Sequence, residues 1–180
     1  MNLANKLTLF RIILVPFFLI FTYINTSTSI YIATAIFILA SLTDKLDGYI
    51  ARSRNQITDF GKFMDPLADK LLVLSALITL VDFHIIPAWI AVIIIGRELA
   101  VTGLRAIAAN SKNVIAASNW GKAKTVTQMV AIIIAFININ LNNSIINLLF
   151  IVMIILAVIV TIISGVDYFY KNKSLINTAK

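Results

Sequence analysis

Four aspartates stand beside long apolar runs of the sequence, at Asp44, Asp47, Asp65 and Asp69. A carboxylate in hydrocarbon costs about 2.5 kcal/mol or more, so these side chains need partners. On a helix, residues three or four positions apart share one face, which places Asp44 with Asp47 and Asp65 with Asp69. A basic polar turn separates the two stretches, so the helices can pair antiparallel. We therefore predict that the four carboxylates converge.

Converging carboxylates repel one another, and a hard divalent cation removes that conflict. Carboxylate oxygens are the ligands that Mg²⁺, Mn²⁺ and Ca²⁺ prefer. Gly48 and Gly61 carry no side chain, so a bulky ligand can approach the backbone beside such ions. The spacing favours a metal site for phosphate chemistry. The alternative is a set of unrelated helix-end charges paired with nearby cations, namely Lys45, Arg52, Lys62 and Lys70.

The complete pattern is D-x2-D-G-x2-A-R-x8-G-x3-D-x3-D, from Asp44 to Asp69. It resembles the signature of the CDP-alcohol phosphatidyltransferase family at every fixed position. The resemblance implies a CDP-linked diacylglycerol as donor, CMP as leaving group and a pair of divalent ions, Mg²⁺ or Mn²⁺. It implies Asp44, Asp47 and Asp65 as principal metal ligands and Asp69 as the general base, which can also touch a metal. Family members use four further motif positions for the nucleotide pocket: Gly48, Ala51, Arg52 and Gly61.

The N-terminal stretch from Asn5 to Arg11 is NKLTLFR. It is similar to an N-x-L-T-x-x-R stretch of the same family that lies near the nucleotide and the diphosphate. This similarity implies that Asn5, Thr8 and Arg11 bind the CDP-lipid. From spacing alone, a helix start with Arg11 extending to the membrane surface is equally compatible.

Two later stretches are similar to the branch of the family whose acceptor is sn-glycerol 3-phosphate, namely GRELAVTGLR at 96–105 and GKAKT at 121–125. An anionic acceptor needs cations near the metals, and guanidinium groups match phosphate oxygens. The predicted acceptor-phosphate residues are Arg97, Arg105, Lys122 and Lys124. Two alternatives stay open: pairing of Glu98 with arginine inside the helix, and anchoring of the lysines at the membrane surface.

Composition defines the class of protein around these residues. The chain has 180 residues, of which 60% are hydrophobic and 13% are charged, and its mean hydropathy is +0.95. These values predict an all-α integral membrane protein with a single domain over residues 1–180. Cysteine is absent, which excludes disulfides and thiolate chemistry. The net charge of +7 is scattered over short turns, which favours an anionic membrane surface over nucleic acid.

Six apolar segments are each near the ~20 residues that cross about 30 Å of hydrocarbon. They are Leu7–Ile24, Ser29–Ile50, Phe60–Val81, Ile86–Ala108, Trp120–Ile139 and Ile145–Phe169. Lys and Arg occur at both chain ends and in the second and fourth turns, and are absent from the other turns. This alternation predicts six transmembrane helices in the cell membrane with both termini cytoplasmic. The aspartates then open to the cytoplasm.

Rival functions make different predictions. The same chemistry on serine, inositol phosphate or a second phosphatidylglycerol would differ only in the fourth and fifth segments. A small cation transporter would place its carboxylates near the bilayer midplane with access from either side. A purely structural membrane protein has no use for four clustered carboxylates. Family members are typically homodimers, so the resemblance implies a homodimer here.

Overall fold

The described part of the chain is entirely helical. A computed structural model describes residues 3–53, 59–110 and 118–173, with side chains throughout except at 3, 4, 44–53, 59–63, 65, 66, 107, 109 and 110. The described residues form six α-helices and no strand, which confirms the predicted all-α class. The helices are α1 (Leu3–Ile24), α2 (Ser27–Ser53), α3 (Asp59–Asp82), α4 (Ala88–Asn110), α5 (Asn119–Leu141) and α6 (Ser144–Lys171).

Each predicted apolar segment lies inside one helix or overlaps nearly all of it. Most helices extend a few residues beyond the apolar run, because polar residues continue the helix after the hydrophobic stretch ends. The sequence Asp65-Pro66 left two alternatives for α3, a start near Lys62 or a distorted helix, since a residue before proline disfavours the helical region. Helix α3 begins at Asp59 and is continuous through residues 65 and 66. A start near Lys62 is therefore wrong.

Three short turns join α1 to α2, α3 to α4 and α5 to α6, and each contains one residue in the left-handed region. These are Asn25, His84 and Asn142, with φ of 50°, 56° and 43°. Asn and His tolerate this region better than most residues, which allows so tight a reversal. His84 is exposed in its turn. We call this end of the bundle the turn end.

We call the opposite end, where α2 ends and α3 begins, the aspartate end. Helix α1 packs against α2 and α3, α2 also packs against α5, and α6 packs against α4 and α5. Three fully buried rings join the helices at the centre: Phe18 lies 6.1 Å from Phe37 and 5.5 Å from Phe136, measured between ring centroids. This cluster fixes α1, α2 and α5 relative to one another.

Large apolar side chains cover much of the outer surface, as expected of a protein in lipid. Helix α6 exposes them along most of its length, including Ile145, Leu148, Ile155 and Ile162. Within the described residues, α1, α5 and α6 each contain a stretch long and apolar enough to cross a membrane. Helix α2 contains a shorter apolar stretch over Ser27–Thr43 within the described residues. The membrane class is thus supported, and the number of six crossings stays a prediction.

Candidate functional site

The four motif aspartates lie on the two helices that meet in sequence at the aspartate end. Asp44 and Asp47 lie in the last part of α2, and Asp65 and Asp69 in the first half of α3. Both stretches are helical, so each pair shares one helix face as predicted. Of the four side chains, only that of Asp69 is among those described. The remaining motif positions whose side chains lie outside the described set are Gly48, Ala51, Arg52 and Gly61. Convergence of the carboxylates stays a prediction.

The aspartate end of α1 carries three buried polar residues. Asn5, Thr8 and Arg11 have exposed fractions of 7%, 0% and 0%. Their spacing continues the face that carries Val15 and Phe18 into the core. Since α1 packs against α2 and α3, this polar face points into the bundle. The alternative in which Arg11 extends to the membrane surface is therefore wrong.

A small cavity adjoins Asp69. Its volume is about 20 Å³, close to the space that one water molecule requires. Its polar wall combines α3, α4 and α5: Asp69, Lys70, Glu98, Lys124, Thr125 and Gln128. The Asp69 carboxylate is within electrostatic range of the Lys124 ammonium. The predicted base and one predicted acceptor-binding lysine therefore face the same space.

Glu98 is the centre of the polar contacts around that cavity. Its Oε1 atom accepts a hydrogen bond of 3.0 Å from Nη1 of Arg97 and another from Nζ of Lys124. The Nη2 atom of Arg97 donates to Oγ of Ser164 on α6. The predicted pairing of Glu98 within α4 is thus present with Arg97, and it extends to α5 through Lys124.

Two predicted acceptor residues lie apart from this cluster. Nε of Arg105 donates to the hydroxyl of Tyr168 at 2.7 Å, and its guanidinium lies 5.3 Å from the centre of that ring. Lys122 is exposed near the start of α5. The structure therefore brings Arg97 and Lys124 together on one carboxylate, whereas Arg105 is held by α6.

Further polar contacts tie the helices together on the same side of the bundle, and the sequence did not single them out. Nζ of Lys70 donates to Oγ1 of Thr102 between α3 and α4. Nε2 of Gln128 donates to Oγ1 of Thr161 between α5 and α6 at 2.8 Å. Gln128 follows Lys124 by one helical turn, and this spacing was the available signal. Its partner on α6 could not be found without the packing.

A much larger groove of about 1110 Å³ lies at the turn end, between the ends of α1, α3 and α5. Its lining is mostly apolar and includes Asp82 and His84. Both residues are exposed, and the motif aspartates are at the other end of their helices. Size alone therefore does not identify the site, because the clustered ionisable groups surround the small cavity at Asp69.

Asp167 on α6 forms an ion pair within its own helix. Its Oδ1 atom accepts from Nζ of Lys171 at 2.7 Å, one helical turn further on. The lysine is 62% exposed, and such pairs contribute little to stability. Asp167 therefore makes a structural contact near the end of α6, and its substitution is a control for substitutions of the buried charged residues.

Taken together, the helices and their apolar exterior define an integral membrane protein whose polar contacts gather beside the aspartate motif. A family model described as CDP-alcohol phosphatidyltransferase matches residues 1–163. The chain belongs to this family, as the motif predicted. Membership favours a transferase over the transporter alternative.

Curated relatives match between 73% and 99% of the chain. A protein of Bacillus subtilis is 44% identical over 191 residues, covering 99% of this chain and 98% of its own length. A protein of Haemophilus influenzae is 46% identical over 136 residues, covering 73% of both chains. A protein of Rickettsia bellii is 38% identical over 169 residues, covering 93% of both chains. All three are named CDP-diacylglycerol–glycerol-3-phosphate 3-phosphatidyltransferase.

Proposed function

We propose that the chain transfers the phosphatidyl group of CDP-diacylglycerol to sn-glycerol 3-phosphate. The products are phosphatidylglycerophosphate and CMP, and the reaction serves phospholipid biosynthesis. The observation that carries this proposal is the 44% identity over 99% of the chain to a relative bearing the corresponding name. The complete aspartate motif lies inside the residues that match the family model.

The residues present fit a divalent-metal site. Asp44 and Asp47 lie on a formed helix three residues apart, and Asp65 and Asp69 lie on the next helix four residues apart. Carboxylates presented in this way are suitable donors for Mg²⁺ or Mn²⁺. Asp44, Asp47 and Asp65 would hold the ions, with Asp69 as a further contact. When bound, two such ions neutralise charge on the diphosphate and orient it.

Asp69 is the proposed general base. The acceptor hydroxyl attacks the phosphorus on the lipid side of the diphosphate, and the bond from that phosphorus to the CMP oxygen breaks. The hydroxyl proton passes to the Asp69 carboxylate, and CMP leaves with the bonding electrons. Asp69 is partly buried and lines a cavity of about 20 Å³.

The nucleotide pocket would lie between α1 and the motif. The buried polar face of α1 points into the bundle, where α1 packs on both motif helices. A CDP-lipid carries its phosphates and sugar at this level while its acyl chains remain in the bilayer. The proposed CDP-lipid residues are Asn5, Thr8, Arg11, Gly48, Ala51, Arg52 and Gly61.

The acceptor phosphate would bind on the α4 and α5 side of Asp69. Arg97 and Lys124 both contact Glu98 next to the cavity, and Lys122 lies half a turn from Lys124 on the exposed side of α5. Arg105 lies on the same helix as Arg97, two turns further on. Their positive charges suit a phosphate dianion, and guanidinium groups can bind it bidentately.

The remaining parts of the proposal concern the surroundings of the site. The aspartate end would face the cytoplasm of the cell membrane, because the turns there are basic. The chain would work as a homodimer, as its family does.

An assay with purified protein in detergent micelles tests the reaction. CDP-diacylglycerol labelled in its phosphatidyl group is incubated with the protein and Mg²⁺ in three parallel reactions. The acceptor is glycerol 3-phosphate in the first, serine in the second and inositol phosphate in the third. We expect labelled phosphatidylglycerophosphate and an equal amount of CMP with glycerol 3-phosphate alone, and no turnover after chelation of the metal. Turnover only with serine or inositol phosphate would reject the acceptor, and absence of CMP release with any acceptor would reject the reaction.

A further inference from the structure

The side chain of Glu98 joins α4 to α5 through one carboxylate, and its partner Arg97 extends the contacts to α6. Arg97 on α4 and Lys124 on α5 both donate to Oε1, and Arg97 reaches Ser164 on α6 through its other terminal nitrogen. The side chains of Arg97, Glu98 and Lys124 are only 12%, 17% and 6% exposed. These charged groups are therefore largely removed from solvent.

Charges within this group do not balance. Arg97 and Lys124 share the single carboxylate of Glu98, so this group of three carries one net positive charge. The Asp69 carboxylate and the Lys70 ammonium, which also line the cavity, offset each other in formal charge. The Arg97 guanidinium also lies near the first turn of α5, since a Cβ atom placed at Gly121 would come within 3.9 Å of Nη2. A helix N-terminus carries partial positive charge. Arg97, Lys124 and this helix end therefore all favour an anion, and Glu98 is the anion that holds both side chains.

Stability alone does not account for such an arrangement. A buried ion pair seldom stabilises a protein more than apolar side chains of similar size, because desolvation offsets the attraction. Long flexible side chains such as lysine lose substantial conformational freedom when they are fixed. A carboxylate that fixes them before a ligand arrives lowers the entropy cost of binding that ligand. Glu98 fixes Arg97 and Lys124 in this way.

We propose that Glu98 is a positioning residue that holds Arg97 and Lys124 in place for the phosphate of the acceptor. This inference rests on the proposed function and adds a residue to its acceptor site. Glu98 does not contact the reacting atoms. It keeps the two cations converged on one carboxylate, and Glu98 and Lys124 line the cavity at Asp69, so that an acceptor held by these cations is close to the base.

Replacement of Glu98 by glutamine tests the inference, because size is kept and charge is lost. Initial rates are measured with glycerol 3-phosphate varied at saturating CDP-diacylglycerol, and then with the donor varied. In Glu98→Gln, Arg97 and Lys124 repel each other without a shared anion. We expect the KM for glycerol 3-phosphate to rise about tenfold or more, while the KM for CDP-diacylglycerol changes less than about twofold.

Asp167→Asn is the matched control, since it removes a carboxylate paired with the exposed Lys171. Its two KM values should equal those of the unchanged protein. An unchanged or lowered KM for glycerol 3-phosphate in Glu98→Gln would overturn the inference, and a lowered value would mean that Glu98 competes with the acceptor. A fall in kcat with both KM values unchanged would also overturn it, because that result assigns Glu98 a role outside acceptor binding.

Glu98→Asp carries the test if the glutamine variant does not fold. The shorter side chain keeps the negative charge but can keep only part of the contacts that Glu98 makes with Arg97 and Lys124. We expect an acceptor KM above that of the unchanged protein, with the donor KM unchanged, and a wild-type acceptor KM would overturn the inference. The unchanged protein is assayed in parallel. If it transfers nothing to glycerol 3-phosphate, the proposed function itself is wrong and the inference fails with it; a working wild type with an unaffected variant rejects only the role of Glu98.

Discussion

Arg97 packs its side-chain stem against Gly165 on α6, where a Cβ atom would come within 3.3 Å of Cγ. Its guanidinium continues to Glu98 and Ser164. A glycine on one helix thus provides the space through which an arginine of another helix reaches the polar cluster. The position of a predicted phosphate-binding group therefore depends on a residue that carries no chemistry of its own.

This contact predicts that Gly165→Ala impairs acceptor binding. The added methyl group requires Cγ of Arg97 to shift by a few tenths of an ångström, which moves the guanidinium relative to Glu98. We expect the KM for glycerol 3-phosphate to rise about threefold to tenfold, with the donor KM unchanged. Steady-state kinetics in detergent micelles provide the measurement.

The matched control is Gly103→Ala, because a Cβ atom at Gly103 meets nothing within 4 Å. Alanine is also the better helix former by up to about 1 kcal/mol. Gly103→Ala should therefore keep both KM values and resist denaturation at least as well as the unchanged protein. Equal kinetic effects of the two substitutions would contradict a specific contact with Arg97.

Asp69→Asn should remove the proposed base while leaving the shape of the site intact. General base catalysis contributes about 10²- to 10⁴-fold to rate, so we expect kcat to fall by a factor in that range. Donor affinity, measured by binding of a fluorescent CDP-lipid, should fall much less. Asp82→Asn is the control at the other end of α3, where the side chain is exposed. Near-normal turnover in Asp69→Asn would rule out its role as base.

Asp44→Ala should abolish activity by loss of metal. Titration of Mn²⁺ into the purified protein, followed by calorimetry, measures the affinity directly. We expect the unchanged protein to bind Mn²⁺ and the variant to bind at least about tenfold more weakly, because a carboxylate ligand is lost. Asp167→Asn should bind Mn²⁺ normally. Wild-type Mn²⁺ affinity in Asp44→Ala would exclude Asp44 as a ligand.

The sequence predicted the helices well because lipid leaves the backbone few alternatives. Long apolar runs must form helices in hydrocarbon, so all six segments were found within a few residues of their observed ends. The start of α3 was harder, because the local preference of a residue before proline opposed the helix that the structure contains. Aspartate spacing also predicted correctly which residues share a helix.

Contacts between distant helices could not be predicted in the same way. Pairing of Glu98 within its own helix was one of two open alternatives. Glu98 does contact Arg97, and its contact with Lys124 depends on how α5 packs beside α4. The spacing of Arg11 gave no sign of its burial, since a helix start beside a membrane is equally compatible with an exposed arginine, and only the family resemblance indicated a place in the site. Packing decides these cases, and a single sequence contains no direct record of it.

The buried hydrogen bond from Gln128 to Thr161 should couple α5 to α6 energetically. Thr161→Val removes the hydroxyl that accepts the hydrogen bond from the Gln128 amide. Loss of this bond between membrane helices should lower the free energy of unfolding by about 1 kcal/mol. Reversible unfolding in mixed detergent micelles measures the loss, and Gln128→Leu combined with Thr161→Val should lose less than the sum of the single changes. Thr34→Val is the control, because Thr34 bonds only to Ile30 in its own helix at 2.7 Å. Additive losses would contradict the coupling.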